Sequence, residues 1–179
     1  MPGSGKGTCT VHLADKYNFP VIHFGNMVYE EVKRRGMDNV KDEKFVREDM
    51  RAMEGPSVLA KHVASKVNTF FESGDRVVVL DGLYSWTEFK FLENKYGTDL
   101  ILIATAASKQ VRYERILKRE DDHRKYTDVN QIVSREIAEI ENLEKGGPIA
   151  YADYTIVNNS NKDFLLQDLD MLLRELKIV

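Results

Sequence analysis

Short apolar, β-branched runs alternate along this chain with stretches whose apolar positions recur at helical spacing. Four runs read as strands: Pro20 to Gly25 (PVIHFG), Arg76 to Asp81 (RVVVLD), Asp99 to Thr105 (DLILIAT) and Tyr154 to Asn159 (YTIVNN). Three of them are nearly continuous in apolar character, the pattern of strands covered on both faces. Between them the pattern predicts helices over Gly7 to Tyr17, Asn26 to Arg35, Asp42 to Met53 and Pro56 to Glu72, then over about Trp86 to Tyr96, Ser108 to Glu120, Asp128 to Glu144 and Lys162 to Leu176. Asn26 reads as an N-cap, Gly36 as a stop, and Pro56 suits a first helical turn. The last helix carries Leu165, Leu166, Leu169, Leu172, Leu173 and Leu176, a packing stripe. Strands alternating with helices in this way imply a parallel sheet with helices packed on it.

Composition narrows the class. A chain of 179 residues can bury one substantial core, and 42% hydrophobic with 31% charged residues describes a globular protein. No apolar run approaches the roughly 20 residues of a bilayer span, and the start lacks a secretory pattern. The expectation is a cytoplasmic protein with no membrane partner. One cysteine, Cys9, cannot form an internal disulfide. A net charge of −3 argues against a nucleic-acid-coating protein while leaving room for a local basic pocket. No internal repeat or low-complexity linker interrupts the chain.

The candidate chemistry begins at Gly3-Ser4-Gly5-Lys6-Gly7-Thr8. Glycines let successive N–H groups point inward, the following helix contributes its positive end, and a lysine supplies a mobile charge for phosphate oxygens. The usual signature is GxxxxGK[ST]. Here Gly5-Lys6 is present, but the first glycine would fall one residue before Met1, and the hydroxyl is displaced to Thr8. Cys9 and His12 on the same helix read as packing or surface residues. A second element is the strand ending Leu80-Asp81-Gly82: a carboxylate at the carboxyl end of a buried strand lies where open α/β sheets bind ligands and can hold magnesium through water.

These residues carry a family resemblance. GSGKGT with its displaced threonine, FGNMVYEEVKRRG after one strand, LDG at the end of the next, and ERILKR resemble adenylate kinase and its relatives among nucleoside monophosphate kinases. REDMRAMEGPSVLAKHV, VVVLDGLYS and AYADYTIVNNSN are similar to segments of adenylate-kinase-related, dephospho-coenzyme-A-kinase-like proteins. The resemblance implies a three-layer α/β/α P-loop NTPase fold with a parallel sheet in the order 2-3-1-4-5. It implies a single kinase domain with a core of 1–25, 76–119 and 145–179, a helical acceptor-binding insert at 26–75 and a short lid at 120–144. ATP's phosphates would lie on Gly3, Ser4, Gly5, Lys6, Gly7 and Thr8, with Asn158 in the ATP set and Mg2+ shared by Thr8 and, through water, Asp81. Lys6 with lid arginines Arg115, Arg119 and Arg135 would stabilise the transferred phosphoryl group. Arg112 and Arg124 are weaker candidates, and His123 is given no role. There is no cysteine quartet for a zinc-binding lid.

The acceptor site departs from the family pattern. LDG is followed by Leu83, Tyr84 and Ser85 where the family carries proline and a phosphate-gripping arginine, and Tyr29 stands where another arginine is usual. Gly25, Asn26 and Gly82 remain as acceptor-binding positions. Arg47 and Arg51, four apart, are the candidates for compensating charge, with Arg34 behind them. Tyr29, Tyr84 and Trp86 could stack on a flat group or simply pack. The expected activity is ATP-dependent phosphorylation of a small nucleotide-like acceptor by a monomer or homodimer, without nucleic acid. The rival is a nucleotide-binding switch or weak ATPase without a physiological acceptor. In this fold family a central strand feeds the phosphate loop, and no residues here supply it. The expectation is therefore a longer natural chain, with about six to ten apolar residues and a glycine upstream.

Overall fold

The computed structural model describes residues 1–38, 41–83, 85–119 and 126–179. In chain order the elements are α1 (Lys6–Tyr17), β1 (Val21–His23), α2 (Phe24–Arg34), α3 (Glu43–Glu54), α4 (Val58–Glu72), β2 (Val79–Asp81), α5 (Trp86–Tyr96), a 3-10 turn (Gly97–Asp99), β3 (Ile103–Ala106), α6 (Lys109–Leu117), α7 (Val129–Leu143), α8 (Gly146–Ala150), β4 (Tyr154–Val157) and α9 (Lys162–Glu175). They divide into two compact units. The first is Met1–Tyr17 with Ile101–Val179, and the second is Asn18–Leu100.

All four expected strands are present, each shortened to the residues whose backbones pair. β1 runs parallel to β2, with Val21 opposite Val79 and His23 opposite Asp81. β3 runs parallel to β4, with Ile103 opposite Tyr154 and Ala106 opposite Val157. These are the two pairs, 2-3 and 4-5, that the expected order places side by side. Among the described residues they form two separate two-stranded sheets, so the full five-strand order is not what the pairing shows. Val78 lies outside the paired register yet packs on the apolar core, which is why an apolar run in sequence overstates strand length.

The helices follow their end signals closely. Ser85, Ser108, Asp128 and Asn161 each cap a helix by accepting from a backbone N–H in the first turn. Asn26 is a correction: α2 begins two residues earlier, at Phe24, with His23 in the cap position and no side-chain cap bond. Burial explains the earlier start. Phe24, Met27, Val28 and Val32 lie on one helical face, and all four are buried in the second unit's core with Ile22, Val46, Met50 and Val63. Extending the helix back to Phe24 puts its ring into that core. Pro56 likewise falls before α4, whose cap position is Ser57.

In the first unit, the leucine stripe behaves as expected. Leu165, Leu169, Leu172 and Leu173 of α9 are buried, as are Cys9 and Leu13 of α1. Beside them one carboxylate, Asp170, sits at the α1–α9 contact and accepts from His12 Nε2 (2.8 Å), Lys16 Nζ (2.6 Å) and the Tyr17 hydroxyl (2.8 Å). Burial alone would raise its pKa, but the three hydrogen bonds, led by that of Lys16, outweigh burial and hold it at about 2. A depressed folded-state pKa contributes stability that is present above the unfolded carboxyl value and lost as pH falls towards 2. With Lys16 half-exposed and screened, the contribution is about 1 kcal/mol. Asp170→Asn is therefore expected to lower the free energy of unfolding at pH 7. Urea titrations of both proteins across pH 7 to 2 should show the gap closing in acid; a gap independent of pH would refute the assignment.

Candidate phosphate-binding site

Gly3 and Gly5 set the loop's shape. Both adopt positive φ (76° and 106°), a region that side chains other than glycine enter only with strain. Space forbids a side chain as well. A Cβ on Gly3 would come 2.7 Å from the Arg112 carbonyl oxygen, and one on Gly5 would come 2.5 Å from Asn158 Nδ2 and 2.7 Å from Leu165 Cδ2. Gly7 has neither restriction, with a helical backbone and nothing within 4 Å. The first helical bond of α1 runs from the Cys9 N–H to the Gly5 carbonyl (3.1 Å), so the N–H groups of Lys6, Gly7 and Thr8 stand ahead of the ladder. Together with the helix dipole they form a local positive end beside the exposed Lys6 side chain.

The loop is fastened from below. Ser4 is buried, and its hydroxyl shares a 2.7 Å hydrogen bond with Thr105 near the carboxyl end of β3. Asn158, the buried residue just past β4, donates from Nδ2 to the Ser4 carbonyl (2.9 Å), while its own N–H reaches the Ala106 carbonyl (2.7 Å). The carboxyl ends of both strands thus grip one loop residue. Asn158, expected in the ATP set, thus touches the loop backbone through its side chain.

The three arginines expected to serve a lid occupy different settings. Arg115 of α6 donates to the carbonyls of Asn158 (3.0 Å) and Ser160 (2.8 Å), to Asn158 Oδ1 (3.2 Å) and to the Gly3 carbonyl (3.4 Å). Arg119 is exposed just beyond α6. Arg135 of α7 donates from Nε to Glu139 (2.9 Å) and bonds the Tyr126 hydroxyl, with its guanidinium over the Tyr126 ring. Burial works against the Arg135 charge, but Tyr126 and Glu139 outweigh it and raise its pKa above the ordinary arginine value.

Two features of this unit escaped sequence reasoning. Arg112, a weak candidate, is buried and pairs with Glu136 of α7 while donating to the carbonyls of Pro2 and Ala107 (3.2 Å each), so it anchors the loop's entry. Glu139 accepts from Arg135 and from the buried Lys145. The four-residue spacing of Arg135 and Glu139 was readable as a helical pair, whereas nothing in sequence joins Lys145 to them. Cys9, read from sequence as a packing or surface residue, is buried, and burial pushes its thiol pKa up to about 11.

The second unit holds the remaining candidates. Asp81 is buried at the end of β2 and its Oδ2 lies 2.8 Å from His23 Nδ1, at the end of the paired strand. Gly82 follows at φ 92°. Gly25 and Asn26 lie in the first turn of α2, and Asn26 is exposed. Arg47 and Arg51 share a face of α3: Arg47 Nη1 bonds Glu43 (2.7 Å) and Arg51 Nη2 bonds the buried Glu88 (3.0 Å). The Nε atoms of both arginines are buried without a hydrogen-bond partner among the described residues. Arg34 is an exposed partner of Glu31, Tyr29 is exposed, and Trp86 stacks on Phe89 at 5.2 Å. Tyr84, His123 and Arg124, with residues 120–125 of the expected lid, lie outside the described residues.

The oxygen donors suit a hard cation. Taken separately, the Thr8 hydroxyl in the first unit and the Asp81 carboxylate in the second are ligand types that magnesium takes, usually with phosphate and water. Among the described residues no three or more His, Cys, Asp or Glu side chains gather as a metal-binding set, and no helix is long and apolar enough to cross a membrane.

A family model described as AAA domain matches residues 1–133. Among individual proteins, the chain is 31% identical to a UPF0200 protein of Methanococcus maripaludis strain C7, over 98% of this chain and 93% of that one. It is also 31% identical to a UPF0200 protein of Thermococcus sibiricus, covering 99% and 93%. Among solved structures, the crystal structure of TT1252 from Thermus thermophilus superimposes with a TM-score of 0.61 at 17% identity, covering 98% of this chain and 93% of that one, which is a likeness of fold.

The loop geometry makes a discriminating prediction. Gly5→Ala must relieve both a left-handed backbone and two close contacts, and is expected to lower stability by about 2 kcal/mol or more. Gly7→Ala, in open space on a helix, is expected to be neutral or stabilising by roughly 0.5 kcal/mol. Thermal melts of the two variants check this, and equal melting temperatures would contradict the loop conformation.

Proposed function

From a chain that belongs to the AAA-domain family of P-loop NTPases and to the UPF0200 proteins, we propose an ATP-dependent small-molecule kinase that transfers the γ-phosphoryl group to a nucleotide or nucleotide-like acceptor. Adenylate-kinase-like and dephospho-coenzyme-A-kinase-like activities are its two specific forms. The observation that carries the proposal is the phosphate loop itself: a glycine-shaped turn, fastened by Asn158 and Thr105, opening onto the first turn of α1 with Lys6 and Thr8 in place.

Phosphoryl transfer asks little covalent chemistry of a protein. The bond from the γ-phosphorus to its bridging oxygen breaks, a bond to an acceptor oxygen forms, and ADP leaves. Catalysis is positioning plus positive charge where the equatorial oxygens gather electrons. In this proposal the backbone of Gly3, Ser4, Gly5, Gly7 and Thr8 holds the phosphates, Lys6 bridges to the transferred group, and Asn158 keeps the loop in shape. Thr8 and, through water, Asp81 are the candidates that would hold Mg2+, an ion that would neutralise phosphate charge. Arg115, Arg119 and Arg135 supply lid charge. Gly25, Asn26, Gly82, Arg47 and Arg51 serve the acceptor, and the unpartnered Nε atoms of the two arginines support an acceptor that carries an anionic group.

One observation favours a second reading, a nucleotide-binding switch or weak ATPase. The Nη atoms of Arg115 are bonded to carbonyl groups of its own unit, and Arg135 to Glu139 and Tyr126. For either of these two to serve the transferred phosphoryl group, it must leave those partners. Incubation with ATP, magnesium and a panel of AMP, CMP, dephospho-coenzyme A and shikimate separates the two. Turnover that depends on one acceptor is expected, whereas slow hydrolysis indifferent to all of them would favour the switch. Lys6→Ala is expected to abolish ATP-dependent turnover with an unchanged circular dichroism spectrum; near-wild-type activity would remove the basis of both readings.

A further inference from the structure

We propose that Arg115 is a positioning residue of the phosphate loop, acting through Asn158 and not by touching the phosphates. The inference rests on the phosphate-binding reading above and narrows it, since it keeps one of the three arginines given to the lid within the frame of the loop.

The direction of a loop N–H is set by the carbonyl before it. A trans peptide is planar, with its N–H and C=O pointing opposite ways, and the described chain has no cis peptide. Whatever holds the Ser4 carbonyl therefore aims the Gly5 N–H to the other side. Asn158 holds it, donating from Nδ2 at 2.9 Å. The same nitrogen is packed against the next loop residue, since a Cβ on Gly5 would come 2.5 Å from it. Asn158 is buried, so its polar groups find their partners within the protein.

An asparagine can hold a carbonyl only with the donor end of its amide. Turned over, Oδ1 would face the Ser4 carbonyl oxygen, one acceptor against another. Arg115 fixes the choice. A guanidinium has donors only, and its Nη2 lies 3.2 Å from Asn158 Oδ1 while its Nη1 donates to the Asn158 carbonyl at 3.0 Å. One charged fork holds both oxygens of one residue and leaves Nδ2 facing Ser4. The fork is itself tied down, with Nη2 donating to the Ser160 carbonyl at 2.8 Å and Nη1 reaching the Gly3 carbonyl at 3.4 Å. Between them Arg115 and Asn158 abut Gly3, Ser4 and Gly5, three successive residues of the loop.

Helix and strand are both placed for this. Gly3 packs so closely on the α6 backbone that a Cβ there would come 2.7 Å from the Arg112 carbonyl oxygen, and Arg115 stands one turn further along that helix. Asn158 is fixed from its own side by its N–H, 2.7 Å from the Ala106 carbonyl of β3. Charge-assisted hydrogen bonds are the stronger kind, and a planar guanidinium keeps several in one fixed geometry, which a lysine ammonium does not. Withdrawing Arg115 towards a phosphate would take this donor from Oδ1 of the buried Asn158, a cost that keeps the arginine in place.

The test is a double-mutant cycle read by the binding of inorganic tripolyphosphate to the full chain, measured by calorimetry below the melting temperature of every variant. Arg115→Ala and Asn158→Ala are each expected to weaken binding by about tenfold. The double variant is expected to bind within about twofold of the weaker single, because the second substitution breaks a relay already broken. Losses that multiply to about a hundredfold would mean that Arg115 touches the phosphates directly, and would overturn the proposal. So would a lower melting temperature with unchanged tripolyphosphate affinity, which is what a merely structural arginine gives. Should either alanine variant not fold, the cycle is run with Arg115→Lys and Asn158→Ser, and the same failure to multiply is required. Wild-type protein that binds tripolyphosphate alongside multiplying losses defeats this inference alone; wild-type protein that binds neither tripolyphosphate nor ATP defeats the phosphate-binding reading with it.

Discussion

The first unit depends on the grip of two strand ends on one loop residue. Ser4 is held through its hydroxyl by Thr105 and through its carbonyl by Asn158. A loop with two glycines at positive φ has many conformations open to it, and the entropy of fixing it is substantial. Buried hydrogen bonds offset that cost because each of the groups concerned would otherwise lose water without recompense. The result is a turn whose shape is set by the protein's own contacts. Under the proposed function, preorganisation of that kind would let binding energy act on phosphates and spare it from shaping the loop.

Electrostatics in the same unit follow from burial. Arg112 and Glu136 are both nearly inaccessible, and a pair so placed is expensive to break from either side although its net contribution to stability is small. What it supplies is definition: it joins α6 to α7 and fixes Pro2 at the entrance of the loop. Glu139 repeats the device one turn later with two cations. The helix that carries the expected lid arginine is thereby the helix whose carboxylates organise the positive side chains of the unit.

In the second unit the same strategy appears with different groups. Asp81 ends its strand where a ligand-binding carboxylate belongs, and His23 of the neighbouring strand lies in register with it. Arg51 reaches the buried Glu88, whose own helix is capped by Ser85. Charged residues here sit above a continuous apolar core running from Ile22 to Leu92, so their positions are set by packing beneath them.

How much of this was legible depends on the range of the interaction. The alternation of strands and helices, the caps at Ser108 and Asp128, the leucine face of α9 and the glycine loop were all readable, because each is written in residues a few positions apart. The start of α2 was misplaced by two residues because the burial of Phe24, a contact with distant residues, outweighed the local capping preference of Asn26. Strand lengths were overread because pairing needs a second backbone that sequence does not display. By itself the sequence determined the element order, the glycine pattern of the loop and the candidate charges. Only the tertiary structure decided which charges face one another, joining Ser4 to Asn158, Arg112 to Glu136 and Lys145 to Glu139, since electrostatic and hydrogen-bond energies depend on distances in space.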